Sequence, residues 1–391
     1  MTFKSSQVNL FKPNRNRRFF MRSLVICPEN FDQLTSRCKK VYSANIQGQM
    51  IHYSLIECEK PNFDPDQFPD SVLVKKRAFA CNYRDIGIML SRLPLIKETI
   101  ENNSAGAEFA YFPFGSDFCA EISAIGKNVK NLKINDRVIP NSNYPSLIQP
   151  GVPTNFASAE YEILRSSKLI KIPDSMPFEV GAAFTISAQT TYSMIEKLEI
   201  KEGENVLITG ANSNTSLFAI NHLRNKNFNV YGLTRNLQSK AKLLSLGLKG
   251  VFVVDESDYD ISDNEEIKGF LRLNGGFDCV IDPFMDSYFI RILSSIKQGG
   301  RYTSCGISNQ FSSNRQNLDL CEKFLWIISN NLKIIGNCLG STKNLENALF
   351  DYSCGNLKVI IDQVIENDPK LFFEQTFLSK TNFGKIVYKY D

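Results

Sequence analysis

The residues best suited to chemistry lie in one run, ENVLITGANSNTSLFAINHL, at positions 204–223. A buried strand, Val206 to Thr209, runs into a turn at Gly210 and then into a helix. Free backbone N–H groups and a helix N-terminus then sit at the strand's carboxyl end, where a pyrophosphate binds. The usual fingerprint has three glycines, whereas here Gly210 is followed by Ala-Asn-Ser-Asn-Thr-Ser. Small residues still allow close backbone approach, and Asn tolerates left-handed geometry. Asn212, Ser213, Asn214 and Thr215 are therefore the expected turn contacts, with the hydroxyls of Ser213, Thr215 and Ser216 as phosphate donors. The bland alternative is a strand–helix turn that has lost its cofactor, which leaves a nucleotide-sensing or scaffolding protein. The next strand ends in NVYGLTRNLQSK, which has no acidic residue to take the adenosine ribose hydroxyls. Thr234, Arg235 and Lys240 instead suit a 2′-phosphate, so NADPH is expected over NADH. Arg235 reads equally well as an exposed charge at a helix start.

Metal chemistry finds little support. The chain has two histidines, His52 and His222, and ten cysteines. The cysteines stand singly, without a CxxC pair, so neither a structural nor a catalytic zinc site is expected. Most sit in apolar surroundings and read as reduced thiols packed as small hydrophobes, which points to a reducing, cytoplasmic setting. The basic stretch NRNRRFFMRSLVICPEN has too short an apolar run for a signal peptide, and no segment is apolar for the ~20 residues needed to cross a bilayer. A net charge of +4 gives no reason to expect nucleic acid as a partner.

The elements that must position these residues follow from the pattern. A length of 391 residues suggests two domains. Residues 1–40 show no strong period and read as an N-terminal extension. From 41 to 173 short apolar runs (SVLVKKRAFA, EISAIGKNV, DRVIP, YEILR, LIKIP) alternate with Gly, Pro and Asn turns, a mainly β pattern. The stretch PFEVGAAFTISAQTTYSMIEKL reads as a helix opened by Pro177. Within 174–339, apolar strands alternate with amphipathic helices, and six strands fit a doubly wound parallel sheet. Residues 340–391 end in a strand, GKIVYKY, expected to complete the first domain.

Across residues 41–391 the chain resembles the medium-chain dehydrogenase/reductase superfamily, closest to its zinc-independent quinone oxidoreductase branch. The resemblance is carried by SVLVKKRAFACNYRDIGIML with its Asn-Tyr-Arg-Asp (Asn82 to Asp85), by FGSDFCAEISAIGKNVKNLKINDRVIP, by GAAFTISAQTTYSMI, and by GGRYTSCGI and FGKIVYKY, in that order. Asn135 replaces a turn glycine of the pattern. The resemblance implies an α/β protein with a GroES-like mainly-β catalytic domain and a Rossmann nucleotide-binding domain. It implies hydride transfer to an activated C=C of a quinone, enone, enal or enoyl thioester. Asn82 and Tyr83 would line the cleft as catalytic residues, with Asp117 holding its structure. Thr185, Thr191, Cys305, Gly306, Leu339, Gly340 and Ser341 would approach the nicotinamide, and a homodimer is implied. The substrate is then a small molecule. A tailoring reductase for a large carrier-bound or peptidyl intermediate, docked through the N-terminal extension, is the alternative.

Overall fold

The computed structural model describes residues 20–102, 104–144, 151–255, 260–307 and 321–390. Short apolar runs separated by turns pair into two sheets in the first part of the chain. One holds four strands in the order Tyr42–Ile46, Gln49–Glu59, Phe20–Ile26, Phe112–Pro113. The other holds seven: Ile361–Glu366, Lys385–Lys389, Ser71–Ala80, Asp117–Ile125, Arg137–Pro140 and Leu169–Lys171 in order, with Tyr161–Arg165 also on Ser71–Ala80. The C-terminal strand reaches this sheet by pairing antiparallel with Ser71–Ala80, Tyr388 opposite Phe79.

The expected N-terminal extension is described only in part. Its first nineteen positions, 1–19, lie outside the described residues. Phe20–Ile26, however, is an inner strand bonded to Gln49–Glu59 on one side and Phe112–Pro113 on the other. Leu24 and Ile26 pack with Tyr53, Phe79 and Phe114, while Val25 packs with Phe31 in a separate cluster. A strand covered on both faces has no polar–apolar alternation, so its sequence carries no period-2 signal. Residues 20–40 are thus built into the β region.

The six-stranded sheet runs Gly250–Val253, Asn229–Thr234, Asn205–Ile208, Phe277–Asp282, Ile296–Ser304, Lys333–Gly336, every pair parallel. The chain winds outward in one direction from Asn205–Ile208 and then restarts at Phe277–Asp282. The crevice at the carboxyl ends of those two strands is where ligands collect in such sheets. The one helix expected after Pro177 is two, Phe178–Ala182 and Thr185–Leu198. They break at Ala183 and Phe184, both fully buried, where the Phe184 ring meets Phe218 and Tyr352 edge-on at 5.4 and 5.9 Å. Among the described residues, no helix is long and apolar enough to cross a membrane.

A buried ion pair holds together part of the β region. Lys76 is fully buried and donates to Glu162 Oε2 at 2.5 Å and to the Phe156 carbonyl at 2.6 Å, while Thr154 donates to the other Glu162 oxygen at 2.7 Å. Burial pushes the Lys76 pKa down, and Glu162 opposes that shift. Removing one member of such a pair leaves the other charge uncompensated. Lys76→Met is expected to lower unfolding free energy by about 3–5 kcal/mol in urea titrations. A loss below about 1 kcal/mol, the range of exposed pairs, would show that the pair is effectively solvated.

Candidate active site

The strand Asn205–Ile208 is buried throughout and apolar from Val206 onward, and the chain leaves it through Thr209 into Gly210 at φ +50°. That left-handed backbone favours glycine, and a Cβ here would meet the Phe284 ring at 2.9 Å. The helix Asn214–Leu223 then begins, capped by the Ser213 hydroxyl accepting from the Ser216 amide at 3.2 Å. Asn212 closes the turn against the neighbouring strand, donating to Ser239 Oγ at 2.6 Å and accepting from Thr234 Oγ1 at 3.1 Å. Asn214 donates to the Ala183 carbonyl and to Ser187 Oγ, at 3.0 and 2.8 Å. Three polar side chains therefore hold a turn that glycines more often make.

Facing the turn is the corner where Ser71–Ala80 passes into the helix Tyr83–Asn102. Tyr83 is 46% exposed, and its ring meets Phe284 edge-on at 5.8 Å, so the Asn82–Tyr83 corner lies across the crevice from Gly210. Burial raises the Tyr83 pKa, against a hydrogen bond from Gln47. Behind this corner sits a buried polar network. Asn82 Nδ2 donates to Asp117 Oδ2 at 2.8 Å and to Ser116 Oγ at 3.1 Å. Asn82 Oδ1 accepts from Lys385 Nζ at 2.6 Å, and that ammonium lies 3.7 Å from Asp117 Oδ2. Asp117 Oδ1 accepts the Ile186 amide at 3.1 Å, which ties the corner to the start of Thr185–Leu198. Asp85 accepts from the Asn82 amide and from Ser116 Oγ, both at 2.8 Å, and pairs with Arg84. Burial raises the pKa of both carboxyls; Lys385 pulls Asp117 back down, and Arg84 does so for Asp85.

A sequence profile described as the alcohol dehydrogenase GroES-like domain matches residues 68–174. Human quinone oxidoreductase is 28% identical over 193 residues, 49% of this chain and 54% of that protein, so the match spans about half of that relative's length. An acryloyl-coenzyme A reductase from Sulfurisphaera tokodaii is 24% identical over 83% of this chain and 94% of its own. Among solved structures, a 2-octenoyl-CoA carboxylase reductase in complex with NADP and 2-octenoyl-CoA superposes with a TM-score of 0.70 at 20% identity, covering 95% of this chain and 87% of its own. Together these likenesses support a resemblance to the medium-chain dehydrogenase/reductase superfamily. The architecture of the chain is that superfamily's, a GroES-like mainly-β domain with a doubly wound Rossmann sheet.

The superfamily positions named from sequence are not equally available. Asn82, Tyr83, Gly210, Asn212, Ser213 and Asn214 come together around the crevice. Thr234 is nearly buried and bonded to Asn212, and the exposed Arg235 follows it at the strand end. Lys240 is held by Glu266 at 2.9 and 3.0 Å. The expected donor role of Ser216 is not available, because its buried hydroxyl donates to the Thr209 carbonyl at 2.7 Å. Thr185 is fully buried and donates to the Pro140 carbonyl, and Thr191 donates to the Thr215 carbonyl, so both act on the scaffold. Cys305 is half-buried at the end of Ile296–Ser304, its thiol pushed up to about 12 by burial, and Gly306 accepts the Met285 amide at 2.9 Å. Leu339 adopts a left-handed φ of +53° with its carbonyl held by Asn337 Nδ2 at 2.9 Å. Gly340 and Ser341 both receive Gln189 Nε2 on their carbonyls, at 3.4 and 3.1 Å, and Ser341 caps the helix Thr342–Ser353.

Two residues escaped the sequence reading. Phe284 lies in DPFMD, without a motif to mark it, and Lys385 lies in FGKIVYKY, where only the strand was legible. Both imidazoles are engaged away from the crevice. His52 Nδ1 lies 2.8 Å from Ser43 Oγ. His222 lies between Asp351 and Lys226 at 3.0 and 2.7 Å, its pKa pushed down to about 4 by burial.

Asp282, at the end of Phe277–Asp282, offers a test of the electrostatics. It is fully buried, accepts from Thr209 Oγ1, Tyr302 Oη and the Phe284 amide, and burial pushes its pKa up to about 6. A carboxyl whose folded-state pKa is raised favours folding while protonated; that contribution is complete below about pH 4 and is lost as pH rises through about 6. Asp282→Asn should therefore gain stability relative to the parent protein as pH rises across this window, by at most about 1.4 kcal/mol per pH unit. Denaturation curves at several pH values check this, and a pH-independent difference would mean Asp282 titrates normally.

Proposed function

We propose that the chain is an NADPH-dependent, zinc-independent reductase of the quinone oxidoreductase type, acting on an activated C=C in a quinone, enone, enal or enoyl thioester. The observation that carries this reading is the Tyr83–Phe284 contact, which sets the Asn82–Tyr83 corner against the Gly210 turn across one crevice. The turn suits a dinucleotide: Gly210 is left-handed, small residues follow, and the Asn214 and Thr215 amides at the start of Asn214–Leu223 lack intrahelical acceptors. The exposed Arg235 beside Thr234 matches a 2′-phosphate, and the solved carboxylase reductase it superposes on was bound to NADP. Bound there, a nicotinamide supplies the hydride. As negative charge develops on the acceptor's oxygen, the Tyr83 hydroxyl, protonated as a phenol is at neutral pH, donates a hydrogen bond to it. Asn82 and the buried network behind it fix the position of that corner. Both histidines are bonded elsewhere, which supports chemistry without a zinc ion.

Fluorescence titration with NADPH and NADH, followed by turnover on quinones, enals and enoyl thioesters, tests the reading. Arg235→Ala should weaken NADPH binding about tenfold, the worth of a charge-assisted hydrogen bond, and leave NADH within about twofold. Absence of binding by either nucleotide to the parent protein sinks the proposal and favours a scaffolding role.

The same reading includes a homodimer. Lys333–Gly336 is an edge strand, and the adjoining helix Cys321–Ser329 exposes Phe324, Leu325, Trp326 and Ile328. An open strand edge beside an apolar face favours pairing, and a second copy covers both. Sedimentation velocity should show a dimer that Ile328→Glu converts to monomer. A monomeric parent protein at micromolar concentration overturns this part.

A further inference from the structure

The tripeptide Phe383-Gly384-Lys385, leading into the last strand, touches three parts of the molecule in succession. Phe383 packs into the core under the six-stranded sheet, with Val206, Ile208 and Leu217. The Gly384 amide donates to the Asn212 carbonyl, in the phosphate turn, at 3.0 Å. Gly384 has φ +108°, and a Cβ there would meet the Ile360 carbonyl oxygen at 2.4 Å, so the segment has one backbone path available to it. Lys385, almost wholly buried, then puts its ammonium on Asn82 Oδ1 at 2.6 Å.

This ammonium decides how Asn82 faces. An amide has an acceptor end and a donor end that are nearly isosteric, and its neighbours select the orientation. Lys385 offers only donors and Asp117 only acceptors when ionised. With Lys385 on Oδ1 and Asp117 on Nδ2, the flipped amide would place donor against donor and acceptor against acceptor. Both Nδ2 protons are taken, by Asp117 and Ser116, which leaves the second lone pair of Oδ1 as the polar group Asn82 can still present.

We propose that Lys385 is a positioning residue for the acceptor site: it sets the orientation of Asn82 and, through Gly384 and Asn212, ties that orientation to the phosphate turn. The inference rests on the reading of the crevice as a dinucleotide and acceptor site. A ligand held by the turn orders Asn212, Gly384 follows through its amide, and Lys385 carries the constraint to Asn82.

Two measurements test it. In the parent protein, NADPH should slow hydrogen exchange in the peptide covering residues 82–86 as well as in that covering 210–216. In Lys385→Met the protection at 210–216 persists, with the dissociation constant for NADPH within about threefold, while that at 82–86 is lost. Turnover should fall at least tenfold in kcat with the same variant, and Asn82→Ala combined with Lys385→Met should be no slower than Asn82→Ala alone. Because Lys385→Met leaves Asp117 unpaired, the neutral pair Asp117→Asn with Lys385→Met serves where the single variant fails to fold. Retained protection at 82–86, or rate losses that multiply in the double variant, overturns the proposal. Failure of the parent protein to bind NADPH strikes the functional reading instead, and is recognised because protection at 210–216 is then absent as well.

Discussion

The crevice depends on one fully buried carboxylate. Asp117 has no solvent to stabilise it, and a buried ionised carboxyl costs several kcal/mol unless it is paired and hydrogen-bonded. It meets that demand by accepting from the Asn82 side chain and the Ile186 amide and by lying beside the Lys385 ammonium. Those partners belong to a strand–helix corner in the first third of the chain, the start of a helix near residue 185 and the C-terminal strand. Satisfying Asp117 thus requires three distant segments to meet at one point. The same point faces the phosphate turn.

Helix Thr185–Leu198 distributes that constraint. Its first turns are polar yet buried, an arrangement that is tolerable only when each group has a partner. Thr185 bonds Pro140, Ser187 bonds Asn214, Gln189 bonds Asn141 and the carbonyls at 340 and 341, and Thr191 bonds Thr215. These groups, Thr185 and Thr191 among them, are joints between the β region and the parallel sheet. Their side chains act on the site by holding its walls.

The altered glycine pattern has a physical account of the same kind. Gly210 keeps the one position where both a left-handed backbone and the Phe284 ring exclude a side chain. Beyond it, Asn212, Ser213 and Asn214 make hydrogen bonds that a glycine cannot, so the turn is shaped by side chains. Asn135, standing where the superfamily pattern has glycine, is likewise left-handed at φ +72°, a region Asn tolerates.

By itself the sequence determined the parallel sheet, because fully apolar strands alternating with amphipathic helices have few other ways to cover both faces of a sheet. It also determined the Gly210 turn and the scarcity of imidazole, since these are matters of residue type and local order, whereas the Asn82–Tyr83 corner came from the superfamily resemblance. Only the tertiary structure decided the partners. Phe20–Ile26 was illegible because burial on both faces erases the period-2 signal. Lys385 and Phe284 were illegible because a lysine or phenylalanine in a strand or loop reads as surface charge or core until its neighbour is known. Lys385 lies 303 positions from Asn82, and nothing local to either residue encodes that they meet. Pairing across such a separation is set by packing of whole sheets, and it is that packing that turns a buried charge into part of a site.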